Sequence, residues 1–203
     1  IGRILDGVSG DFWFISIYAA ICLRLTPEWS YWIWILAAVT GLCHSKQAAM
    51  ADYYRNIHLF FLKGKSGSEL DNYVQQKAIY NSLSCKKNFI RKLFLWFYCD
   101  YTRSQERLTP AFQRFFALLQ QRYGAVAPQE IRDEFRRESL PLMKYTNILS
   151  FNTRVTVLFI SLLINEPWLY FVFELTVLNG LLIYMIWQHE RLSNKLYKEI
   201  QMS

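Results

Sequence analysis

The sequence predicts an all-α protein, a polytopic membrane helix bundle with a helical cytoplasmic insert. Hydrophobic residues make up 53% of the chain and charged residues 19%, a balance that excludes a disordered protein. Aromatic residues reach 17%, which is high for a soluble enzyme and common where rings lie at membrane interfaces. Four strongly apolar segments flank a basic middle region with helical patterning. The length of 203 residues corresponds to one or two domains.

The four apolar segments predict four membrane-spanning helices. They cover 12–25, 29–43, 155–164 and 168–187. A bilayer core of about 30 Å needs about 20 helical residues, a length that only the fourth segment reaches unaided. The first two segments need polar flanks, and the third extends over 151–168 if Arg154 snorkels to the interface. The alternative is a soluble bundle with apolar core helices. Trp and Tyr clusters at segment ends and apolar character on all faces favour the membrane.

The distribution of Lys and Arg predicts the orientation. Residues 64–150 contain 14 Lys and Arg against 8 Asp and Glu, whereas the short connections 26–28 and 165–167 contain no basic residue. The positive-inside rule then places the middle region and both chain ends in the cytoplasm. Three parts are expected. They are 1–63, two membrane helices with an acidic motif at the start; 64–150, a basic helical cytoplasmic or interfacial insert; and 151–203, two membrane helices with a basic tail.

Helix signals divide the insert. The second membrane helix is expected to continue to Gly64, because no helix-breaking residue precedes it. Ser68 begins a loose capping box, Thr109-Pro110 reads as an N-cap followed by proline at the first helical position, and Gly124 suits a helix end. Helices are expected over 69–101, 109–123 and 128–139.

Basic and aromatic residues alternate in the segment KKNFIRKLFLWFYCDYTR, which covers 86–103. Such interleaving is found in nucleic-acid-binding segments. Predicted spans on both sides favour instead an amphipathic helix on the anionic cytoplasmic leaflet. A packed helix with a solvated basic face is an equal alternative to that membrane-surface helix. No nucleic-acid partner is therefore expected.

The candidate chemistry lies in the opening residues GRILDGVSGD. Asp6 and Asp11 precede the first span at its cytoplasmic end, where a carboxylate usually binds a cation or faces a polar cavity because its desolvation is costly. Gly2 and Asp6 are four residues apart and share a helix face, and glycines admit a phosphate or a second helix close to the backbone. The alternative is a polar cap with small residues for helix packing. No signal peptide is visible, and we expect the natural chain to begin earlier.

This motif resembles the second half of the signature of the CDP-alcohol phosphatidyltransferases. That half ends with Gly, three residues, Asp, three residues and Asp, and here Gly2 and Asp6 match the first two positions. Gly10 occupies the last position, and Asp11 follows one residue later. On a regular helix Asp6 and Asp11 are about 140° apart rather than about 40°. A bulge, or a helix beginning after Gly7, would restore their convergence.

The resemblance extends to architecture. The family has six membrane helices with the motif across the second and third, and this chain has four apolar segments after the motif position. The stretch QAAMADYYRNIHLFFLKGKSGSELDN is also similar to one in membrane proteins of this family from gut bacteria. The first half of the signature is absent, so we expect the 203-residue chain to be inactive alone.

The resemblance implies an enzyme of phospholipid synthesis that moves a phosphatidyl group from a CDP-activated lipid to an alcohol acceptor, with release of CMP. Asp6 would be a metal ligand, and Asp11 a second ligand or the catalytic base. The cofactor would be Mg²⁺, or Mn²⁺ in its place. Weaker candidates for substrate contacts are Gly2, Lys46, Arg55 and Arg154, with His44 and Asp52 beside them.

The implied location is a bacterial inner membrane, with the protein integral to it and the active site facing the cytoplasm. The expected partners are the CDP-linked lipid, a small alcohol acceptor and membrane lipids, and a homodimer is among the expected assemblies. The alternative function is a non-enzymatic membrane scaffold or interaction protein.

Overall fold

A computed structural model describes residues 2–64, 68, 70–84, 88–124 and 126–202, with the backbone alone for residues 2–11. Throughout these residues the regular structure is helical and contains no strand, which confirms the all-α prediction. The helices are α1 (Gly2–Trp29), α2 (Trp32–Lys63), α3 (Tyr73–Ser82), α4 (Phe89–Leu108), α5 (Pro110–Tyr123), α6 (Gln129–Ser139), α7 (Met143–Ile148), α8 (Phe151–Leu163), α9 (Trp168–Phe173) and α10 (Asn179–Met202). A 3₁₀ turn at Leu140–Leu142 joins α6 to α7, and a π-helical turn at Glu174–Leu178 joins α9 to α10.

Two helical stretches among the described residues are long and apolar enough to cross a membrane, by length and composition. They are Gln129–Leu163, which covers all but the last residue of the third predicted segment, and Trp168–Met202, which contains the fourth. Two stretches meet this test where four spans were predicted, so the coarser prediction of membrane-compatible helices is confirmed in part. The four-span arrangement stays a prediction.

The first predicted connection is displaced. It was expected at 26–28, but α1 continues through Pro27 to Trp29, and the turn follows at Ser30, whose φ is 55°. Proline near a helix end removes only one backbone hydrogen bond, which the last turn tolerates. The Thr26 hydroxyl donates to the Cys22 carbonyl at 2.6 Å and accepts from the Trp34 indole at 3.0 Å. These bonds keep the last turn of α1 helical.

The predicted helix over 69–101 is wrong. Helix α3 begins at Tyr73 rather than near Ser68, because the Asn72 side chain accepts from the Val74 amide at 2.8 Å and acts as the N-cap. The helix ends at Ser82, and α4 begins separately at Phe89. Single-residue helix propensity does not reveal this interruption.

The other boundaries of the middle region agree with their signals. Helix α2 continues to Lys63 and ends at Gly64, whose φ of 77° only glycine adopts without strain. Pro110 is the first residue of α5 after Thr109, and Gly124 ends that helix with a φ of 71°. At the chain start α1 is helical from Gly2, so a helix that begins after Gly7 is also wrong.

The chain divides into two units. The first contains Ile1–Ala51 with Asn147–Ile183, and the second contains Asp52–Thr146 with Tyr184–Ser203. Both divisions fall inside long helices, one in α2 and the other in α10. The predicted three-part division at 1–63, 64–150 and 151–203 stays a prediction.

The second unit has an aromatic core and two charged helix caps. Phe61 and Phe135 stack with ring centroids 3.9 Å apart. The Glu190 carboxylate accepts from the Ala111 amide at 2.7 Å and so places negative charge at the start of α5. Arg132 donates from Nε to the Phe61 carbonyl at 3.2 Å, where α2 ends. Both caps therefore satisfy backbone groups that the helices leave unpaired.

Burial shifts the pKa values of several titratable groups in this unit toward their neutral forms. Burial lowers the pKa of His189 to about 3, and its ring stacks on Tyr54 with centroids 3.9 Å apart. The His189 Nε2 atom has no hydrogen-bond partner in the described part of the chain, so protonation would bury an unpaired charge. Burial also raises the pKa of Tyr53 to about 12 and lowers the pKa of His58.

We expect the second unit to lose stability in acid through His189. The unfolded chain binds a proton on this ring below pH 6.5, whereas the folded ring does so only near pH 3. The free energy of unfolding should therefore fall by at most about 1.4 kcal/mol per pH unit as the pH decreases through that window. Unfolding in detergent, followed by circular dichroism, measures the loss.

The matched variant is His189→Phe, which retains a ring against Tyr54 and removes the titration. Its stability should depend less on pH between 6.5 and 4 than that of the wild type, because His58 alone of the two shifted histidines remains. Parallel pH profiles for the two proteins would contradict the assignment to His189.

Candidate functional site

A polar network lies in the interior of the first unit. It contains an arginine and a glutamate, joined by two tyrosines, a histidine and two side-chain amides. Its members are Tyr18 on α1, His44 and Gln47 on α2, Arg154 on α8, Tyr170 on α9, Glu174 in the π-helical turn and Asn179 on α10. An apolar cluster surrounds the network and includes Phe14, Ile21, Ile33, Leu158 and Phe171. We call this group the Arg154–Glu174 network.

The ion pair at its centre is shielded from solvent. Arg154 is 1% exposed and Glu174 is 0% exposed, and Arg154 Nη1 lies 2.5 Å from Glu174 Oε1. Two charges in such surroundings are tolerated only where every remaining polar atom is also paired. The geometry of the two side chains meets that condition.

Arg154 donates in three directions. Its Nη1 reaches Glu174, its Nη2 donates to Gln47 Oε1 at 2.7 Å, and its Nε donates to the Leu149 carbonyl at 3.3 Å. The guanidinium plane is thus fixed by bonds to α2, to the connection between α7 and α8, and to the π-helical turn. Its side chain lies inside the first unit and does not snorkel, which differs from the expectation for the third span.

The Glu174 carboxylate accepts from three groups. The Tyr18 hydroxyl donates to Oε2, and the Tyr170 hydroxyl donates to Oε1 at 2.6 Å, beside Arg154. The backbone carbonyl of Glu174 accepts from Gln47 Nε2 at 3.0 Å, and the same amide nitrogen donates to Asn179 Oδ1 at 2.7 Å. Because the π-helical turn begins at this residue, its carbonyl and carboxylate both face donors of the network.

His44 lies against the same pair. Its Nδ1 atom is 2.8 Å from Arg154 Nη1 and 3.3 Å from Glu174 Oε1. Since a guanidinium only donates, the shorter contact assigns Nδ1 as an acceptor and places the ring proton on Nε2.

The network is suited to holding helices together, because its charged groups are already bonded to one another and to neighbouring polar groups. The carboxylate already has three donors, and the guanidinium uses all three nitrogens. The network joins α1, α2, α8 and α9 through charged and polar contacts that fail if a helix rotates or slides. It therefore fixes the arrangement of these helices in the first unit.

The exterior of the first unit is apolar. Large apolar side chains are exposed along α1, α2, α8 and the helix from Trp168 onward. They include Phe12, Trp13, Ile15, Leu23, Trp32, Ile35, Leu42, Phe159, Ile160, Leu163, Val177 and Ile183. Polar groups inside and apolar groups outside are the reverse of the usual pattern in water.

The structure places the predicted site residues in different surroundings. Gly2, Asp6 and Asp11 lie on the backbone of α1, and their side chains are outside the described residues. Lys46 is exposed in the first unit and Arg55 is exposed in the second. The weaker candidates His44 and Arg154 meet in the network, whereas the Asp52 carboxylate, in the second unit, accepts from the Tyr101 hydroxyl at 3.2 Å.

The metal site stays a prediction. Among the residues with described side chains, no group of three or more His, Cys, Asp or Glu could hold a metal ion. Asp6 and Asp11, the predicted ligands of Mg²⁺ or Mn²⁺, are not among those residues. Glu174 and His44 are committed to the network and offer no additional carboxylate or imidazole to a cation.

Sequence analysis missed Glu174, Tyr18, Tyr170 and Gln47. One signal was available, because Glu174 is the only charged residue in the apolar segment 168–187. An ionisable residue inside such a segment usually has a partner in the bundle interior. The tyrosines and Gln47 give no comparable signal.

The chain was compared with models of protein families, with curated proteins and with solved structures, and no match was found in any of the three.

We expect Glu174→Gln to destabilise the protein by about 3–5 kcal/mol, because it leaves the Arg154 charge buried without a counter-charge. Glu174→Gln combined with Arg154→Met should recover much of that loss, since both charges are then absent. Glu28→Gln, the same change at an exposed site of the first unit, is the control. Thermal unfolding in detergent gives the measurement. Additive losses in the double variant would argue against coupling between the two side chains.

Proposed function

We propose that the protein is a membrane-embedded phosphatidyltransferase that moves a phosphatidyl group from a CDP-activated lipid to an alcohol and releases CMP. In this proposal its first unit lies in the bilayer with four spans, and both ends of the chain are cytoplasmic. The observation that supports it most is the continuity of α1. This helix begins with the motif GRILDGVSGD and continues directly into an apolar segment with exposed side chains.

The four-span arrangement has support from the distribution of polarity in the first unit. Apolar side chains exposed on the outside suit lipid, and a satisfied polar network on the inside suits a bundle without water. Arg24 is the one basic residue in the first predicted span, and its guanidinium donates to the side chain of Asn165, the first residue of the predicted connection 165–167. This contact gives a charge near the proposed outer surface a polar partner.

The reaction assigns distinct roles to the two aspartates of α1. The acceptor hydroxyl oxygen attacks the lipid-linked phosphorus, the phosphorus–oxygen bond to CMP breaks, and CMP leaves with the bonding electrons. Asp11 takes the proton of the attacking hydroxyl, and Asp6 provides a carboxylate for a divalent cation. When bound, that cation supplies positive charge to the pyrophosphate of the lipid.

The network has a supporting role in this proposal. Tyr18 lies on the same helix as Asp6, and its hydroxyl is bonded to Glu174. The network therefore fixes the rotation of α1 about its axis and its position along that axis relative to α2 and α8. Because the motif lies on the same continuous helix, its orientation is fixed as well. A metal-binding carboxylate needs such a fixed support, because small displacements reduce catalysis strongly.

We expect Asp6→Asn to reduce lipid product formation on the order of 10²-fold or more, as loss of one electrostatic stabiliser of the transition state does elsewhere. The assay follows CMP and lipid product from a CDP-activated lipid, with the protein at its natural length in membranes. It is run with and without Mg²⁺, using inositol, inositol phosphate, glycerol phosphate and serine as acceptors. Asp100→Asn, the same change at an exposed residue of α4, is the matched control and should retain activity.

Asp11→Asn should also lower turnover, although its position is about 140° around α1 from Asp6. Insertion and protein level are measured first for every variant. If Asp6→Asn inserts normally and retains wild-type turnover with an accepted substrate, the proposed metal ligand is wrong. A protein inactive with all four acceptors, yet retained in a membrane complex, would favour the scaffold function.

The topology is tested separately. Single cysteines at Glu28 and Glu166, both exposed, should react with a membrane-impermeant thiol reagent applied outside intact cells. The background replaces the native cysteines with serine, and Ala117→Cys, exposed on α5, should react only after the membrane is opened. Labelling of position 28 or 166 only from the cytoplasm would contradict four spans with cytoplasmic ends.

A further inference from the structure

The first half of α4 has a strip of exposed apolar side chains. Phe89, Ile90, Leu93, Trp96 and Phe97 are 67%, 69%, 44%, 51% and 56% exposed. Their spacing places all five within about 120° of the helix circumference. We call them the α4 strip. Five large apolar groups on one continuous face exceed the scattered exposure that is ordinary on a soluble surface.

This strip is not the face by which α4 packs in the second unit. The buried residues of the helix are Leu95, Cys99, Thr102 and Gln105, and they lie on the opposite side. Helix α4 is therefore anchored by one face and presents a second apolar face outward. The packed-helix alternative from the sequence expected a solvated basic face, whereas the exposed face opposite the packed one is apolar.

The part of the chain that contains the strip is basic in sequence. From residue 72 to residue 99 the chain contains five basic residues and no Asp or Glu. They are Lys77, Lys86, Lys87, Arg91 and Lys92. In the described part of this segment, Lys92 donates to the Leu83 carbonyl at 3.0 Å and lies over the Tyr80 ring, and Arg91 is exposed. Asp71 and Asp100 border the segment, and the exposed Asp100 lies on the face of the strip one turn beyond Phe97, so the segment with its two borders keeps an excess of three positive charges.

We propose that the α4 strip inserts into the interfacial region of an anionic membrane leaflet. An exposed apolar and aromatic face in a basic part of the chain is the composition of helices that lie in the membrane interface. The basic residues complement the negative surface potential of anionic lipids. A second copy of the chain is a poorer occupant, because its segment 72–99 would place like charges opposite one another. This role is independent of phosphatidyl transfer.

The test uses the full chain reconstituted in vesicles of phosphatidylcholine with a minority of phosphatidylglycerol. A nitroxide is attached at Leu93→Cys, and a second preparation is labelled at Ala117→Cys, both in the cysteine-free background. Power saturation compares the access of oxygen, which concentrates in lipid, with that of a water-soluble nickel chelate. The label at 93 should favour oxygen, and the label at 117 should favour the nickel chelate.

Access of the nickel chelate to position 93 equal to that at position 117 would overturn the proposal. Dipolar broadening at position 93 that grows with the protein-to-lipid ratio would instead identify a second copy as the occupant and would also overturn it. Leu93→Glu tests membrane insertion without disturbing the fold, because the Leu93 side chain is outside the core. Labelled at Phe97→Cys, this variant should lose its preference for oxygen while its circular dichroism stays unchanged.

Discussion

The buried ion pair between Arg154 and Glu174 is the constraint on which the first unit depends. Removing a charge from water costs several kcal/mol per ion, and the attraction between two charges repays this only with good geometry and full hydrogen bonding. Tyr18, Tyr170 and Gln47 supply those hydrogen bonds from three different helices. If α1, α2 or α9 were displaced, a buried charge would lose a hydrogen bond. The buried pair therefore restricts where these three helices can lie.

The two units are stabilised by different physical effects. In the second unit a core of stacked phenylalanines is buried, and ion pairs such as that between Lys195 and Glu134 lie at the exposed surface. The hydrophobic effect drives that arrangement. In the first unit large apolar groups are exposed, so apolar burial alone does not specify the packing. The first unit also buries an apolar cluster, and the hydrogen bonds of the Arg154–Glu174 network add directional constraints to its packing.

The sequence predicted helices well where the signal was local. The continuation of α2 to Lys63, the start of α5 at Pro110 and the end at Gly124 each follow from a capping residue or the absence of a breaker. The sequence-based prediction was wrong where contacts between helices determine the end of a helix. Cys22 and Trp34 support the last turn of α1 through Thr26, so the turn comes later than the proline suggests. The network could be predicted only in part, because Glu174 is conspicuous in an apolar segment whereas the tyrosines that satisfy it resemble ordinary core residues. Asp6 and Asp11 were predicted from their place before an apolar segment and from the resemblance, and their side chains lie outside the described residues.

In the proposed enzyme, the residue of α1 that binds the metal and the residue that fixes the helix in the bundle lie far apart. Asp6 and Tyr18 are twelve residues apart on one helix, which corresponds to about 18 Å along its axis. A phosphate bound beside Asp6 would lie too far away to contact the Tyr18 end of the helix, where Glu174 is bonded. A change in the network should therefore act on the stability of the bundle and reach turnover only through the orientation of α1. A change at Asp6 should act on turnover without loss of stability. Removal of both charges of the ion pair would keep the helices packed while loosening their register, and so would show how much of the chemistry depends on that register.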